Sequence, residues 1–439
     1  MTFRCLLRKE WAELWTSRAW WLLLVFMGPL VGFSFISAVR TYGELSGVNG
    51  TAAGVGEAFS PLIGIWAPTF SACELAAAFL LPFVVIRLVG GGHQTGALQL
   101  ELQQPFPAYG RILAKTAVLI AAWLIASAPP LIAVILWRIY GGSVYVPEVA
   151  TVGAGHLLNA ALAIAVAAAF GTVAEHPSTA AIATLMVTVG GWILNFAAAV
   201  NGGIWERLAA YTPTAMVGEF QRGLVRLEVV LAALVLACAG LGFAAIWTRL
   251  GSPIRKRAVA SVMLLSIAGL LLALCPLARW SWDTSEARLN SFSISDERRL
   301  ATIDQPLHME VHLAPEDPRR SDLERNAVSK LRRVMRQFDV TYVSSTTTGL
   351  FEQTRSGYGE IHYRLGDRTS VSRGATAEGV LDEIYALAEL EPDDDEDGEE
   401  QVFRGHPLAA TPRGAAAIFY VGWPAAIAGM VLMARGRGS

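Results

Sequence analysis

Eight long apolar stretches recur along this sequence, and more polar segments separate them. A helix of about 20 apolar residues crosses the roughly 30 Å hydrocarbon core of a bilayer. The pattern therefore predicts an α-helical membrane protein with about eight transmembrane helices. The predicted spans are 19–39, 62–89, 113–137, 153–174, 179–200, 228–248, 258–278 and 414–434.

A polar region between the seventh and eighth spans has the pattern of a small α/β domain. Residues 307–313 alternate between apolar and polar side chains, which indicates a half-buried strand. Helix starts are predicted at a capping box that begins at Ser321 and at Thr376. Further strands are predicted at 340–343 and in a hairpin that turns at Gly366. This domain would be inserted into the helical membrane protein.

The composition agrees with a membrane protein. Of the 439 residues 53% are hydrophobic and only 16% are charged, with a mean hydropathy of +0.43. A soluble chain of this size cannot bury so much apolar surface. The formal net charge of −2 gives no reason to propose nucleic acid as a partner. All four cysteines fall in or beside predicted spans, so we expect no disulfide framework in the polar region.

Residues 3–18 predict an amphipathic helix ahead of the first span, with a basic side and an apolar side that carries two tryptophans. Such a helix lies in the membrane interface, in contact with lipids, and places tryptophan at headgroup depth. An anchor beside the membrane with no further role would explain the same pattern. The interfacial helix residues are Arg8, Lys9, Glu10, Trp11 and Trp15.

Basic residues cluster at alternate span ends, and this bias sets the orientation of a membrane protein. The clusters precede span one, separate spans two and three and spans six and seven, and follow span eight. All four are cytoplasmic if both termini lie inside. We therefore predict a multi-pass protein of the cytoplasmic (inner) membrane, with the 280–412 region periplasmic or extracellular.

A short polar, amphipathic segment joins the second and third spans within residues 87–116. Six of its positions match a pattern of small, apolar, proline and basic residues: Gly96, Leu98, Leu102, Pro105, Arg111 and Lys115. The segment resembles the coupling segment of the ABC transporter type-2 permease family, which contacts the ATPase. The acidic residue at the start of the family pattern is replaced by His93 and Gln94. The N-terminal helix resembles the family opening at Arg8-Lys9-Glu10.

The resemblance implies a membrane-spanning permease subunit. Its expected partners are an ABC ATPase subunit and a second permease, as a homodimer or a heterodimer. It would couple ATP hydrolysis on that separate chain to movement of a substrate or to mechanical work, with no cofactor and no enzyme activity of its own. The sequence agrees with the assignment of ATP hydrolysis to another chain in one respect. Its Gly110–Thr116 segment lacks the glycine that a phosphate-binding loop places before its lysine.

The start of the polar region, from Arg279 to Ser295, resembles the auxiliary subunits of gliding-motility-type ABC transporters. In these a span, an α/β domain and a terminal span follow one another, although here Thr284 replaces the usual leucine. The order suggests a natural fusion, with an envelope protein or a substrate as the partner of the outer domain. The predicted parts are a six-span permease domain with the interfacial helix (1–250), a seventh span (251–279), an extracytoplasmic α/β auxiliary domain (280–390), an acidic linker (391–412), and an eighth span with a cytoplasmic tail (413–439).

Polar side chains within membrane spans are costly and tend to face a bundle interior or a cavity. One hypothesis is that they line a translocation path, and the alternative is that they form hydrogen bonds that steady the packing of the spans. The residues concerned are Glu74, His156, Asn159 and Asn195.

His308, Glu310 and His312 share one face of a predicted strand, so a metal site is conceivable there. Two histidines four residues apart on a strand are separated by about 13 Å, so one ion would need a ligand from another strand. His362 would help only if the strands pair. A solvated strand face explains the same residues, and we expect no metal.

Two other classes of function fit the sequence. One is a membrane scaffold or sensor whose outer domain binds an envelope partner without transport. The other is an intramembrane enzyme that uses Glu74 with the histidine and asparagine residues of the spans. Co-purification of an ATPase would separate the permease from both.

Overall fold

The structure is a computed structural model that describes residues 3–45, 60–90, 106–201, 203–249, 251–286, 288–314, 317–343, 357–390 and 411–436. The chain divides into two compact units. The helical unit comprises Met1–Asn195, Arg207–Thr284 and Phe403–Ser439, and the α/β unit comprises Phe196–Glu206 and Ser285–Val402. Most of the predicted acidic linker lies outside the described residues.

Eight helices of the described chain are long and apolar enough to cross a membrane. By length and composition, this confirms the eight predicted helical segments. Spans 1 to 8 are Arg18–Glu44, Leu62–Gly90, Ala108–Ile139, Val146–Val173, Pro177–Ala198, Leu227–Trp247, Ile254–Leu277 and Ala415–Ala434. Span 4 begins earlier than predicted because Pro147 and Glu148 occupy its first turn. Both residues suit a helix start, but they interrupt the apolar pattern from which the span was predicted.

Several spans contain breaks that proline or a widened turn introduces. Span 3 divides at Ser127 into Ala108–Ala126 and Ala128–Ile139, because Pro129 and Pro130 cannot donate backbone hydrogen bonds. The remaining segments are Leu62–Trp66 (a π-turn), Ala67–Phe79 and Leu81–Gly90 in span 2, Ile254–Leu274 with the 3₁₀ turn Cys275–Leu277 in span 7, and Ala415–Ala417, Ile418–Gly422 (a π-turn) and Trp423–Gly436 in span 8.

The helical unit also contains shorter elements outside the spans. The N-terminal helix α1 covers Phe3–Thr16. Helix α2 covers Ile204–Ala209 at the boundary of the two units, and helix α3 covers Pro213–Gln221. Strand β1, Leu224–Arg226, pairs antiparallel with strand β2, Ser281–Asp283, and so joins the start of span 6 to the chain that follows span 7.

Span 4 lies at the centre of the helical unit, where it packs against spans 2, 3 and 6 and against α3. Span 8 packs on span 1 through two glycines one turn apart. A Cβ added to Gly28 would overlap Trp423, and a Cβ added to Gly32 would overlap Phe419. Small residues let membrane helices approach closely. The Trp423 indole uses this approach to donate a hydrogen bond of 2.6 Å to the Leu24 carbonyl.

The α/β unit is a two-layer sandwich of one mixed sheet and three helices. Its elements in chain order are helix α4 (Ile294–Thr302), strand β3 (Leu307–Val311), helix α5 (Pro318–Leu323, continued through a π-turn at Glu324–Val328 to Ser329–Val334), strands β4 (Phe338–Tyr342), β5 (Ile361–Leu365) and β6 (Arg368–Ser372), and helix α6 (Ala377–Ala388). The sheet order is β4-β3-β5-β6, with β3 and β4 parallel and the other neighbours antiparallel.

Alternation along the strands decides which face of this sheet is covered. Leu307, Met309 and Val311 of β3 are buried in one core with residues of α5 and α6, while the side chains between them lie on the opposite, polar face. The predicted strand, the hairpin that turns at Gly366 and the Thr376 cap are all present. Helix α4, which Ser293 caps, was not anticipated from the sequence.

The predicted capping box at Ser321 is wrong. Helix α5 begins one turn earlier at Pro318, and the Asp317 side chain accepts a hydrogen bond from the Arg319 backbone N–H. Ser321 lies inside the helix and donates to the Pro318 carbonyl at 2.8 Å. An aspartate followed by proline is the stronger start, since proline suits the first helical position and the carboxylate accepts from the free N–H groups.

Asp317 joins this cap to a small charged cluster. Its carboxylate accepts hydrogen bonds from the Arg319 guanidinium at 2.8 Å and from the Tyr358 hydroxyl at 2.9 Å. The side-chain hydrogen bond from Arg319 is the main cause that lowers the pKa of Asp317 to about 2. A carboxyl group whose pKa is lowered in the folded state stabilises the fold above its unfolded pKa, and this contribution is lost as the pH falls.

Asp317→Asn should therefore lower the thermal midpoint of the α/β unit at pH 6. The deficit should shrink as the pH falls from about 4 toward about 2, because the wild-type carboxylate is protonated in that window. Differential scanning calorimetry of the full-length protein at a series of pH values measures the difference in thermal midpoint. Asp322→Asn is the control, since its exposed carboxylate lies 3.9 Å from Arg325. A deficit that does not change with pH would contradict the assignment.

Candidate functional site

A buried ion pair joins the N-terminal helix to the start of span 3. The Lys115 Nζ lies 2.9 Å from the Glu10 carboxylate, whose side chain is fully buried, and the Lys115 side chain is 6% exposed. The same ammonium group donates a hydrogen bond of 2.9 Å to the Leu88 carbonyl near the end of span 2. Three elements distant in sequence therefore meet at one charged group.

The burial of Glu10 follows from its position on α1. Leu6, Glu10 and Leu14 are buried and recur every four residues, so they form one row along the helix. Phe3, at the start of the same helix, is exposed and stacks on Phe106 with ring centroids 6.5 Å apart. An acidic residue in the buried row was missed because its partner lies 105 residues away.

The other predicted interfacial residues surround this row. Arg8 is exposed, and Lys9 lies 3.4 Å from Glu10 and 3.9 Å from Glu13. Trp11 packs on the core of the helical unit. The Trp15 ring makes an edge-to-face contact with Trp21, and the Trp21 indole donates to the Trp15 carbonyl at 2.8 Å.

Only two of the six predicted coupling residues lie in the described part of the chain. Arg111 and Lys115 are described, and the Arg111 guanidinium donates a hydrogen bond of 2.7 Å to the Phe106 carbonyl. This bond fixes the turn that opens span 3. Gly96, Leu98, Leu102 and Pro105 lie outside the described residues.

A second candidate site is a cavity of about 20 Å³ among spans 2, 4 and 5 and the start of α3. Glu74 and Asn159, which the sequence placed on a translocation path, both line it. The Trp192 indole, also in the wall, donates a hydrogen bond of 3.1 Å to the Glu74 carboxylate. A space of this size holds about one water molecule. Small and apolar side chains complete the wall: Ala77, Ala78, Leu162, Ala163, Val166 and Val187.

The other two path residues lie near the cavity but do not line it. His156 is one turn from Asn159 on span 4, stacks on Phe70, and its Nε2 lies 3.4 Å from the Gln221 amide nitrogen. That amide also donates to the Ser71 hydroxyl at 3.2 Å. Asn195 accepts a hydrogen bond of 3.0 Å from Thr212, which caps α3. These two residues therefore hold span 4, span 5 and α3 together.

The histidines of the α/β unit lie on the open face of its sheet. Strands β3 and β5 pair, with Glu310 opposite His362, and the rings of His312 and His362 lie 4.9 Å apart. His308 instead contacts Asp339 at 3.0 Å. Within the described ranges no group of three His, Cys, Asp or Glu residues has a geometry that could hold a metal ion.

Comparison with known proteins finds no relative of this chain. No family model matches the chain, and neither a curated protein nor a solved structure matches it. The function must therefore be argued from the residues themselves.

The ion pair gives a direct prediction. Glu10→Gln should destabilise the helical unit by about 3–5 kcal/mol, because it leaves the Lys115 charge buried without an anion. Glu10→Leu combined with Lys115→Met should recover most of this loss, since apolar groups of similar size can replace a buried pair. Thermal midpoints of the purified protein in detergent measure both effects.

Glu13→Gln is the matched control, because Glu13 is on the same helix and forms an exposed pair with Lys9. Its effect should stay below about 1 kcal/mol. An equal loss of stability in Glu10→Gln and Glu13→Gln would show that the buried pair matters no more to the fold than the exposed pair does.

Proposed function

We propose that the protein is the membrane-spanning permease subunit of an ABC transporter. The observation that carries the proposal is the convergence at Lys115. Its ammonium group binds Leu88 before the 91–105 segment and Glu10 of α1, and it lies itself after that segment. The 91–105 segment resembles a permease coupling segment. Because Lys115 joins α1, span 2 and span 3, a force applied to that segment would reach all three together.

Chemistry favours a partner chain as the source of energy. The sequence has no phosphate-binding loop, so ATP hydrolysis is assigned to a separate ATPase subunit. A short amphipathic segment bearing Leu98 and Leu102 can seat its apolar side in a groove of such a partner. Six spans correspond to one permease half, so a second permease, identical or different, would complete the transporter. The α/β unit would then contact a substrate or an envelope protein.

Leu98→Asp with Leu102→Asp should abolish co-purification of an ATPase subunit, while the protein still reaches the membrane. Charged side chains in place of the leucines would remove the apolar contact and oppose burial. Gln103→Asp with Gln104→Asp is the control, because it adds the same charge to the same segment and keeps both leucines. Unchanged co-purification in the leucine variant would refute the coupling contact. If wild-type protein retains no ATPase at all, the scaffold or sensor becomes the better explanation.

We also infer that both termini are cytoplasmic and that the α/β unit is outside, from the distribution of Lys and Arg among the loops. A membrane-impermeant maleimide should label Ser321→Cys in intact cells, since position 321 is exposed on α5. Thr16→Cys, exposed at the end of α1, should react only after permeabilisation. The parent chain controls for its four cysteines. The reverse labelling order would overturn the orientation.

A further inference from the structure

The carboxylate of Glu74 lacks a counter-ion. Its hydrogen bond comes from the neutral Trp192 indole, and no cationic side chain of the described residues pairs with it. An ionised carboxylate has about four acceptor positions, so one donor leaves most of them free. A charge in an apolar setting is expensive unless it is paired. The site therefore favours a cation supplied from outside the chain.

Asn159 supplies the second, independent observation. The residue is only 6% exposed, it lines the same cavity, and its side-chain amide makes no hydrogen bond with any described residue. Polar groups that folding removes from bulk water are rarely left without a partner, because their lost hydration is then not replaced. The amide oxygen of Asn159 is thus available to a ligand within the cavity.

The remaining polar groups of the wall also suit a cationic donor. The Thr188 hydroxyl donates to the Thr184 carbonyl at 3.2 Å, so its oxygen keeps lone pairs to accept a hydrogen bond. No Lys or Arg is among the residues that line the cavity, so an anion would find only repulsion from Glu74.

We propose that this cavity binds a small ammonium-type cation, with Glu74 as its counter-ion and Asn159 and Thr188 as hydrogen-bond acceptors. The cavity volume of about 20 Å³, which holds about one water molecule, suits a ligand of the size of the ammonium ion. An ammonium group presents several N–H donors, which matches three acceptor side chains. The binding site stands by itself, and only the further step of calling the cation a cargo rests on the proposed transport function.

Ammonium chloride is the probe for a binding test on the purified full-length protein in detergent. The thermal midpoint of the wild type should rise saturably, compared with sodium chloride at equal ionic strength. Glu74→Gln should weaken the apparent affinity at least tenfold, because the neutral amide still accepts from Trp192 but cannot pair with a cation. Asn159→Leu should weaken it several-fold. Glu175→Gln, the same change at an exposed residue between spans 4 and 5, should bind as the wild type does.

Tetramethylammonium tests both size and hydrogen bonding, since it is larger and has no N–H group, and it should give no rise. An equal rise with sodium or tetramethylammonium, an equal affinity in Glu74→Gln, or no rise in the wild type would overturn the proposal. If Glu74→Gln does not fold, Asn159→Leu decides the outcome alone. Glu74→Gln should still co-purify with the ATPase, so failure of cation binding is distinguishable from failure of the proposed coupling.

Discussion

The helical unit depends on one constraint, which is that a charge buried away from water is costly unless a partner lies beside it. Water is absent from the hydrocarbon core, so a polar group there is either paired or costly. Lys115 meets the constraint by binding both Glu10 and the Leu88 carbonyl, each at 2.9 Å. The pair fixes the angle at which α1 meets spans 2 and 3. Such pairs add less stability than their short distances suggest, but the loss of one member is severe, so they act mainly as positional constraints.

The cavity that Glu74 and Asn159 line is an exception to this constraint. Glu74 has one neutral donor and Asn159 has no hydrogen-bond partner among the described residues, although both lie among apolar side chains. Nearby polar groups are treated differently, since Thr212, Asn195, Gln221 and Ser71 all form hydrogen bonds across helices. Other buried polar atoms of the described helical unit also lack a partner, among them His156 Nδ1 and Thr69 Oγ1, but Glu74 and Asn159 line one cavity, which is the arrangement that a binding site would have.

The sequence was most informative where the signal is local. Hydropathy found all eight apolar helices, since each span satisfies its backbone hydrogen bonds within itself. It missed the first turn of span 4, where Pro147 and Glu148 interrupt the apolar run. It also placed a helix start at Ser321, whereas Asp317 caps that helix. The burial of Glu10 was not predicted. The hypothesis that grouped Glu74 with Asn159 could not predict that both line one cavity, because both findings depend on contacts between segments far apart in the chain.

The two candidate sites also differ in what a change of conformation would do to them. The ion pair is closed and already satisfied, so any displacement of α1 relative to span 3 would expose or separate two charges. The cavity lies where span 4 meets spans 2 and 5, so a shift of span 2 would alter its size. Span 2 contributes to both sites, through Leu88 near its end and Glu74 near its middle. The 67–79 and 81–90 segments of span 2 are therefore the shortest path along the chain between the segment that follows the span and the Glu74 carboxylate.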